Sequence, residues 1–308
     1  MNFLSMKYFL TLAEEKNFTR AAERLHITQQ TLSAHIGGLE KEVGTKLFVR
    51  HVPLELTDSG AVFLRYARIF FRNELALKRE LSDVSGQYKG TLRIGIAPCR
   101  GRVELPKVIA SFRDAYPHVR IGLHEMANGD IWNALKHDEI DVAMARLEGE
   151  LPGIAHRPWM EEEIVLLVSK DLAKDLWGEE AGRIFMPEGQ RKRGLSLHFA
   201  DCPFLLNSEE DIAGALARKL FRDAGFSPWI AVDSENMETL LDLCLMGKGA
   251  YFCPKNLVKA LLTPENRKKL YVLEFQDGKY GLSFGFLKSS HRWKIIEKWM
   301  DAVLQARE

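Results

Sequence analysis

The chain has 308 residues, 46% of them hydrophobic and 28% charged, with 43 Lys and Arg against 42 Asp and Glu. Such a length suits roughly two to three globular domains with buried cores, while the near-zero net charge excludes the broadly basic composition that usually marks a nucleic-acid binder. No run approaches the ~20 apolar residues that a bilayer span needs, and Cys99, Cys202, Cys244 and Cys253 form neither a C-x-x-C pair nor a metal-ligand spacing with histidine, as expected of isolated thiols in a soluble, cytoplasmic protein.

Residues 1–12 are apolar enough to imitate a signal sequence. Lys7 interrupts them, however, Glu14 and Glu15 follow, and no small-residue cleavage site appears. Phe3, Leu4, Met6, Phe9, Leu10, Leu12 and Ala13 instead suit an amphipathic first helix. Residues 18–48 read as two short helices joined by a tight bend, the arrangement that lays a helix in the DNA major groove. Thr19 is expected to N-cap the first, with Ala21, Ala22 and Leu25 on its inner face. His26 and Ile27 form the bend, and Thr28 caps a second helix over residues 29–43. There Leu32, Ile36 and Leu39 repeat at helical spacing and face inward. Gln29, Gln30, Thr31, Ser33, Ala34 and His35 surround the exposed first turns. Glutamine pairs bidentately with adenine and threonine offers a methyl to thymine, so short polar residues here suit base reading. A plain three-helix cap that never touches DNA is the alternative. Residues 47–50 and 53–57 read as two strands of a wing, after which Thr57 or Asp58 caps a long helix over residues 59–85.

Through Asp58 seven basic residues (Lys7, Lys16, Arg20, Arg24, Lys41, Lys46, Arg50) stand against seven acids. An uncharged headpiece must bind in multiples, each with a shallow salt dependence. In the long helix Phe63, Ala67, Phe70, Leu77, Leu81 and Val84 follow a four-three alternation broken by Glu74. At ~1.5 Å per residue the helix is about 40 Å long, too long to bury its stripe on a small headpiece. The seam calls for a partner helix from a second copy; a strut on its own chain is the alternative. Residues 85–90, with Gly86 and Gly90, form a hinge.

Beyond Gly90 strands and helices alternate. Strand 91–96, helix 103–116 ended by Pro117, strand 119–123, helix 131–137 and strand 141–145 come first. A second unit has strands 163–168, 203–206, 229–232 and 250–252 with helices 212–224 and 237–246. Strands 271–275 and 282–287 and a helix over 290–306 close the chain. The βαβαβ order implies a parallel sheet covered by helices. Two such α/β lobes, crossed by the chain, make a hinged cleft whose ligand sits beyond the carboxyl ends of strands, against helix N-termini.

The first segment resembles the N-terminal domain of LysR-type transcriptional regulators, on Phe18-Thr19-Arg20-Ala21-Ala22, Leu25, Gln29, Leu32-Ser33, Ile36, Leu39-Glu40, Gly44, Leu47-Phe48, Arg50, Leu56-Thr57 and Gly60. It departs from that family at Gln30, where proline is common, at Ala34, Gly37 and Gly38, where basic residues are frequent, and at Val52 and Glu55, where the wing often carries Arg or Lys. The second half, on Thr91-Leu92-Arg93-Ile94-Gly95, residues 138–143, Ala224-Gly225-Phe226, Gly247-Lys248-Gly249 and Pro254, is similar to the effector-binding domain of the same family, itself like periplasmic solute-binding proteins. The resemblance implies an α/β protein with a winged helix-turn-helix domain over residues 1–58, a dimerising linker helix and hinge over 59–89, and an effector-binding domain over 90–308. Its lobe I takes residues 90–162 and 271–308, its lobe II residues 163–270. It implies a ligand-responsive, non-enzymatic homo-oligomer, dimer or tetramer, on a pseudo-palindromic promoter site. RNA polymerase is a further partner, and no cofactor is expected besides a small-molecule effector. Carried over residue by residue, the DNA contacts fall on Thr19, Arg20, Thr28, Gln29, Gln30, Thr31, Ser33, His35 and Arg50.

Strand ends place the candidate effector contacts at Pro98, Cys99, Arg100 and Gly101, at Asn128 and Gly129, at Arg146, at Asn207 and Ser208, and at Ser234 and Asn236. The backbone of residues 98–101 is placed to cradle an anion, and Arg100 with Arg146 to hold a carboxylate, an anionic effector being common in the family. The alternative pairs either arginine with a structural acid such as Glu125 or Glu148. Cys99 beside a helix N-terminus invites a lowered pKa and a redox role, against which stands the lack of a placed resolving cysteine. Residues 177–197, long for the family and carrying Arg191-Lys192-Arg193, read as a solvated loop. The competing class is a solute receptor or α/β enzyme with an incidental helical cap. The chain offers it no G-x-x-x-x-G-K-[ST], no G-x-G-x-x-G after a strand, no H-E-x-x-H and no G-x-S-x-G.

Overall fold

In the computed structural model, which describes residues 2–49, 53–146, 149, 151–185, 191–288 and 293–307, the chain folds into two compact units, Met1–Gln87 and Tyr88–Glu308. Arg50 and Val52 of the expected wing, Glu148, residues 186–190 and Ser290 lie outside the described residues.

The first unit runs α1 (Phe3–Glu15), α2 (Phe18–Leu25), α3 (Gln29–Val43), β1 (Phe48–Val49), β2 (Glu55–Leu56) and α4 (Asp58–Ser85). The cap of α2 is Asn17 rather than Thr19. Its side chain accepts from the Thr19 and Arg20 N–H groups, which leaves Thr19 inside the first turn; Asn caps at least as well as Thr. Thr28 caps α3 as its sequence suggests, accepting from the Thr31 N–H at 3.1 Å, and His26 makes the bend in the left-handed region at φ 54°. The apolar stripes of the helices meet in one core. Phe9, Leu32 and Ile36 are fully buried, each worth about 1.5–3 kcal/mol relative to exposure. Phe9 lies edge-on to Phe63, ring centroids 4.7 Å apart. The wing pairs Phe48 with Leu56, antiparallel.

A buried carboxylate fastens that wing to α3. Glu40 accepts from the Leu47 N–H at 3.0 Å and from Lys46 Nζ at 2.8 Å. Burial opposes its charge, but the Lys46 ammonium and the Leu47 and Phe48 N–H groups outweigh it and hold the carboxyl below the usual Glu range. A folded-state pKa below the unfolded one stabilises the fold above the unfolded value, and that contribution is lost as pH falls through the folded value. Glu40→Gln is therefore expected to cost about 1–3 kcal/mol at neutral pH. The gap between the melting curves, read by far-UV circular dichroism, closes on acidification below the ordinary glutamate pKa. A gap that stays constant with pH rules out the charge as its source.

The second unit is built on a single mixed sheet. Its first half has β3 (Gly90–Ile96), α5 (Pro98–Ala115), β4 (Val119–Glu125), α6 (Asn128–Lys136) and β5 (Val142–Ala145), and β6 (Ile154–Ser169) leads out of it. The other half has α7 (Lys170–Trp177), α8 (Ala181–Ile184), β7 (Arg191–Lys192), β8 (Pro203–Leu206), α9 (Ile212–Ala224), β9 (Trp229–Asp233), α10 (Met237–Leu245), β10 (Ala250–Pro254), α11 (Lys255–Leu261) and α12 (Pro264–Lys268). The chain then returns through β11 (Leu270–Leu287) and ends in α13 (Lys294–Gln305). The strand order is β4-β3-β5-β11-β6-β10-β8-β9.

The expected parallel pairings hold within each half: β3 with β4 and β5, β8 with β9 and β10. The sheet as a whole is not parallel, because β6 and β11 run antiparallel to each other and to their outer neighbours. Two strands expected at 271–275 and 282–287 are one, and the return to the first half falls later than residue 271, since Leu270–Glu274 still pair with Ser169–Val165. Register shifts between Glu274 and Lys279 and between Leu282 and Ser283 bend β11 as it crosses, as bulges do.

Residues 177–197 are not simply a solvated loop. Arg191 and Lys192 add a short strand to β11, Arg191 pairs with Glu163 at 2.8 Å, Lys192 Nζ donates to the Ile184 carbonyl, and Phe185 stacks on Tyr271 at 4.4 Å. A charge run becomes structural when acids on neighbouring strands meet it.

Candidate functional site: a recognition helix and an inter-lobe cavity

In the first unit, the first turn of α3 presents Gln29, Gln30 and Thr31 to solvent while Leu32, Ile36 and Leu39 further along it are buried, with Arg20 exposed on α2. The Thr28 hydroxyl is committed to the cap and lies 2.8 Å from that of Thr31. Ser33 is half-buried, and the His35 ring turns edge-on to Tyr8, centroids 4.9 Å apart, so His35 packs on the unit rather than standing free. Gly37 and Gly38 have open space where a side chain would begin. Gly60 is different. A Cβ there falls 2.0 Å from the Leu47 carbonyl oxygen, so the first turn of α4 presses against the wing as no other residue allows.

In the second unit, a cavity of about 310 Å³ opens at the strand ends, lined by both halves. From the first half come Pro98, Cys99, Arg100, Glu125, Met126 and Asn128; from the other, Asn207, Ser208, Glu210, Asp211, Glu235 and Met237; and Tyr280 comes from β11. Helix α5 begins at Pro98, earlier than residue 103, because Pro is pre-organised for the first helical position. This shortens the expected anion cradle: Pro98 has no N–H, and the Gly101 N–H donates to the Ala97 carbonyl at 2.9 Å.

Arg100 does not reach for a carboxylate ligand. It is buried, and its Nη2 donates to Glu162 Oε2 at 2.7 Å while the Tyr280 hydroxyl donates to the same oxygen. The acid it pairs with is neither Glu125 nor Glu148. Arg146 lies outside the lining, its guanidinium over the Tyr280 ring at 5.9 Å, and its backbone is held at both ends by the Asn128 side chain. The two arginines thus hold no common anion. Gly101 and Gly129 also fall outside the lining, as do Ser234 and Asn236. Asn236 caps α10, accepting from the Glu238 and Thr239 N–H groups, and the Ser234 hydroxyl accepts from the Asn236 N–H. The Asn207 side chain donates to the Ser234 carbonyl and accepts from the Tyr251 hydroxyl. Cys99 contradicts a lowered pKa: burial, with Glu238 adding to it, pushes its thiol up to about 11, so it is protonated at neutral pH. Glu162 and Tyr280 carried no local signal, since only pairing across the sheet brings them to α5.

The two units match two linked family patterns. Residues 3–61 match the bacterial regulatory helix-turn-helix proteins of the lysR family, and residues 85–308 match the LysR substrate binding domain. The chain belongs to the LysR family of transcriptional regulators. Among its relatives, an uncharacterised HTH-type transcriptional regulator of Bacillus subtilis (strain 168), YcgK, is 30% identical over 264 residues, 84% of this chain and 81% of that one. OxyR of Escherichia coli (strain K12), a DNA-binding transcriptional dual regulator, is 27% identical over 87% of this chain and 82% of its own. Among solved structures, a full-length OxyR variant from Pseudomonas aeruginosa has a TM-score of 0.69 at 21% identity, covering 98% of this chain and 94% of that one. Full-length CbnR complexed with its target DNA has 0.61 at 22%, covering 99% and 100%; at these identities the likeness is one of fold. As a LysR-family member this is a ligand-responsive, DNA-binding transcriptional regulator and not an enzyme. Its helical headpiece is no incidental cap, because the match covers headpiece and effector unit alike. Among the described residues no helix is long and apolar enough to cross a membrane.

Proposed function

We propose that this LysR-family regulator reads a pseudo-palindromic promoter site in the cytoplasm through the first turns of α3, and that a small molecule in the inter-lobe cavity resets the arrangement of its headpieces. Residues 1–58 bind DNA, 59–89 dimerise and hinge, and 90–308 take the effector. Gln29, Gln30, Thr31 and Ser33 meet base edges, while Thr19, Arg20, Thr28 and Arg50 meet the backbone. The observation that carries the reading is the two-faced α3, apolar face locked in the core and Gln29 and Gln30 exposed at a capped N-terminus.

Self-association is supported by α4. Phe63 and Ala67 of the expected stripe pack into the headpiece core instead, because the first turns of α4 lie on it. Phe70, Leu77, Leu81 and Val84 are exposed, Val84 to 87%, together with Val62 and Tyr66; that unburied seam is one a second copy's helix covers. Pairs of such dimers make a tetramer, and contact with RNA polymerase converts their re-spacing into transcription. An effector shifts that equilibrium only by binding one arrangement better than the other.

The test is gel-shift titration on the DNA upstream of the protein's own gene, with Gln29→Ala as the variant. Specific binding is expected to weaken by about 1–3 kcal/mol, with binding to random DNA unchanged. Equal loss on both assigns Gln29 to the backbone, and no loss on either removes it from the interface.

A further inference from the structure

The cavity is acidic where an anion site should be basic. Glu125 at the end of β4, Glu210 and Asp211 ahead of α9, and Glu235 ahead of α10 all line it. Arg100 is the one cation among the described lining residues, and its guanidinium is committed to Glu162 and Tyr280. The cations around it are committed as well: Arg102 to Glu238, Arg218 to Glu209 and the Asn207 carbonyl, Lys255 to Glu274. Arg146, over the ring of Tyr280, is also partnered.

Helix N-termini do not reverse this sign. The first-turn N–H groups of α9 donate to Asp211 and those of α10 to Asn236. Helix α5 has no side-chain cap, but Glu125 Oε1 lies 3.3 Å from the point where a side chain at Gly101 would begin. A carboxylate thus already stands beside that positive end. Asp211 is committed to its cap, whereas Glu125, Glu210 and Glu235 make no ion pair among the described residues.

We infer that the effector of this cavity is a small organic cation, an amine or guanidine on a short carbon chain. Glu125, Glu210 and Glu235 hold its charge, and Met126, Met237 and Leu257 pack its chain. The inference rests on the reading of the cavity as the effector site. At about 310 Å³ the space is at the small end of ligand pockets and ample for a diamine. A dicarboxylate of the same length would bring two negative charges to carboxylates with no counter-ion.

The experiment uses the full chain and follows thermal unfolding by tryptophan fluorescence. The probes are 1,4-diaminobutane, 1,5-diaminopentane and 4-guanidinobutylamine at millimolar concentration, against succinate and glutarate. At least one amine is expected to raise the melting temperature, and the dicarboxylates to leave it unchanged. The triple variant Glu125→Gln, Glu210→Gln, Glu235→Gln keeps the cavity's shape and is expected to weaken amine binding about tenfold or more, one charge-assisted hydrogen bond being worth that much. No shift with any amine overturns the inference, as does a shift that the triple variant leaves intact. Ser208→Trp, which fills the cavity, separates the two readings. Stabilisation by a dicarboxylate that is lost in Ser208→Trp overturns the cationic effector and keeps the cavity as the site. Stabilisation by any probe that survives Ser208→Trp removes the cavity itself from effector binding.

Discussion

Glu162→Ala is expected to lower the stability of the second unit by about 3–5 kcal/mol, the cost of stranding a buried charge. Arg100 and Glu162 are both buried and bonded at 2.7 Å, and Arg100 cannot escape by losing its proton: although burial works against its charge, Glu162 and Tyr280 raise its pKa further. Removing the acid also leaves the Tyr280 hydroxyl without its acceptor. All six tryptophans, Trp132 to Trp299, lie in the second unit, so their fluorescence in a denaturant titration reports on that unit alone. The double variant Arg100→Met, Glu162→Met should recover most of the loss, because a well-packed apolar pair replaces a buried ion pair at little cost. A loss below about 1 kcal/mol for Glu162→Ala shows that the guanidinium finds water or another acid. Functionally the pair ties the first turn of α5 to the crossing strands, so the single variant should also blunt the promoter's response to effector.

Gly60→Ala is expected to cost the headpiece about 3 kcal/mol, the upper end of overpacking. Its added Cβ meets the Leu47 carbonyl oxygen at 2.0 Å, and that oxygen already accepts the Thr57 N–H at 3.0 Å. Neither partner is a flexible side chain, so relief requires the wing or the first turn of α4 to move. The signature is selective: helical circular dichroism melts earlier and specific DNA binding falls, while the tryptophan transition of the second unit stays where it was. An unchanged melt together with full DNA binding shows that the wing gives way freely.

Much of this molecule is legible from local pattern. Leu32, Ile36 and Leu39 are visible as one inward face because a helix repeats every 3.6 residues whatever it packs against, and Gln29 and Gln30 as exposed because they open that helix just after its cap. The cap at Thr28 is equally local. The cap of α2 is less so: Asn17 and Thr19 are both good cappers two residues apart, and where the core's entry angle places the first turn decides for Asn17.

The cavity divides along the same line. That Pro98, Cys99, Arg100, Asn128, Asn207 and Ser208 line it follows from their positions at strand ends, because a parallel sheet delivers those ends to one edge. What each side chain does there follows from partners far away in sequence. Arg100 is neutralised by Glu162 and hydrogen-bonded to Tyr280, 62 and 180 residues on, and the long antiparallel β6 and β11 that carry them read, by period alone, as shorter parallel strands. By itself the sequence determined the elements and their inward faces, since periodicity and capping act within a few residues, and its motif residues carried the resemblance to the family. Only the tertiary structure decided the sign of the cavity's charge, because the field inside a cleft sums over groups that nothing but folding brings together.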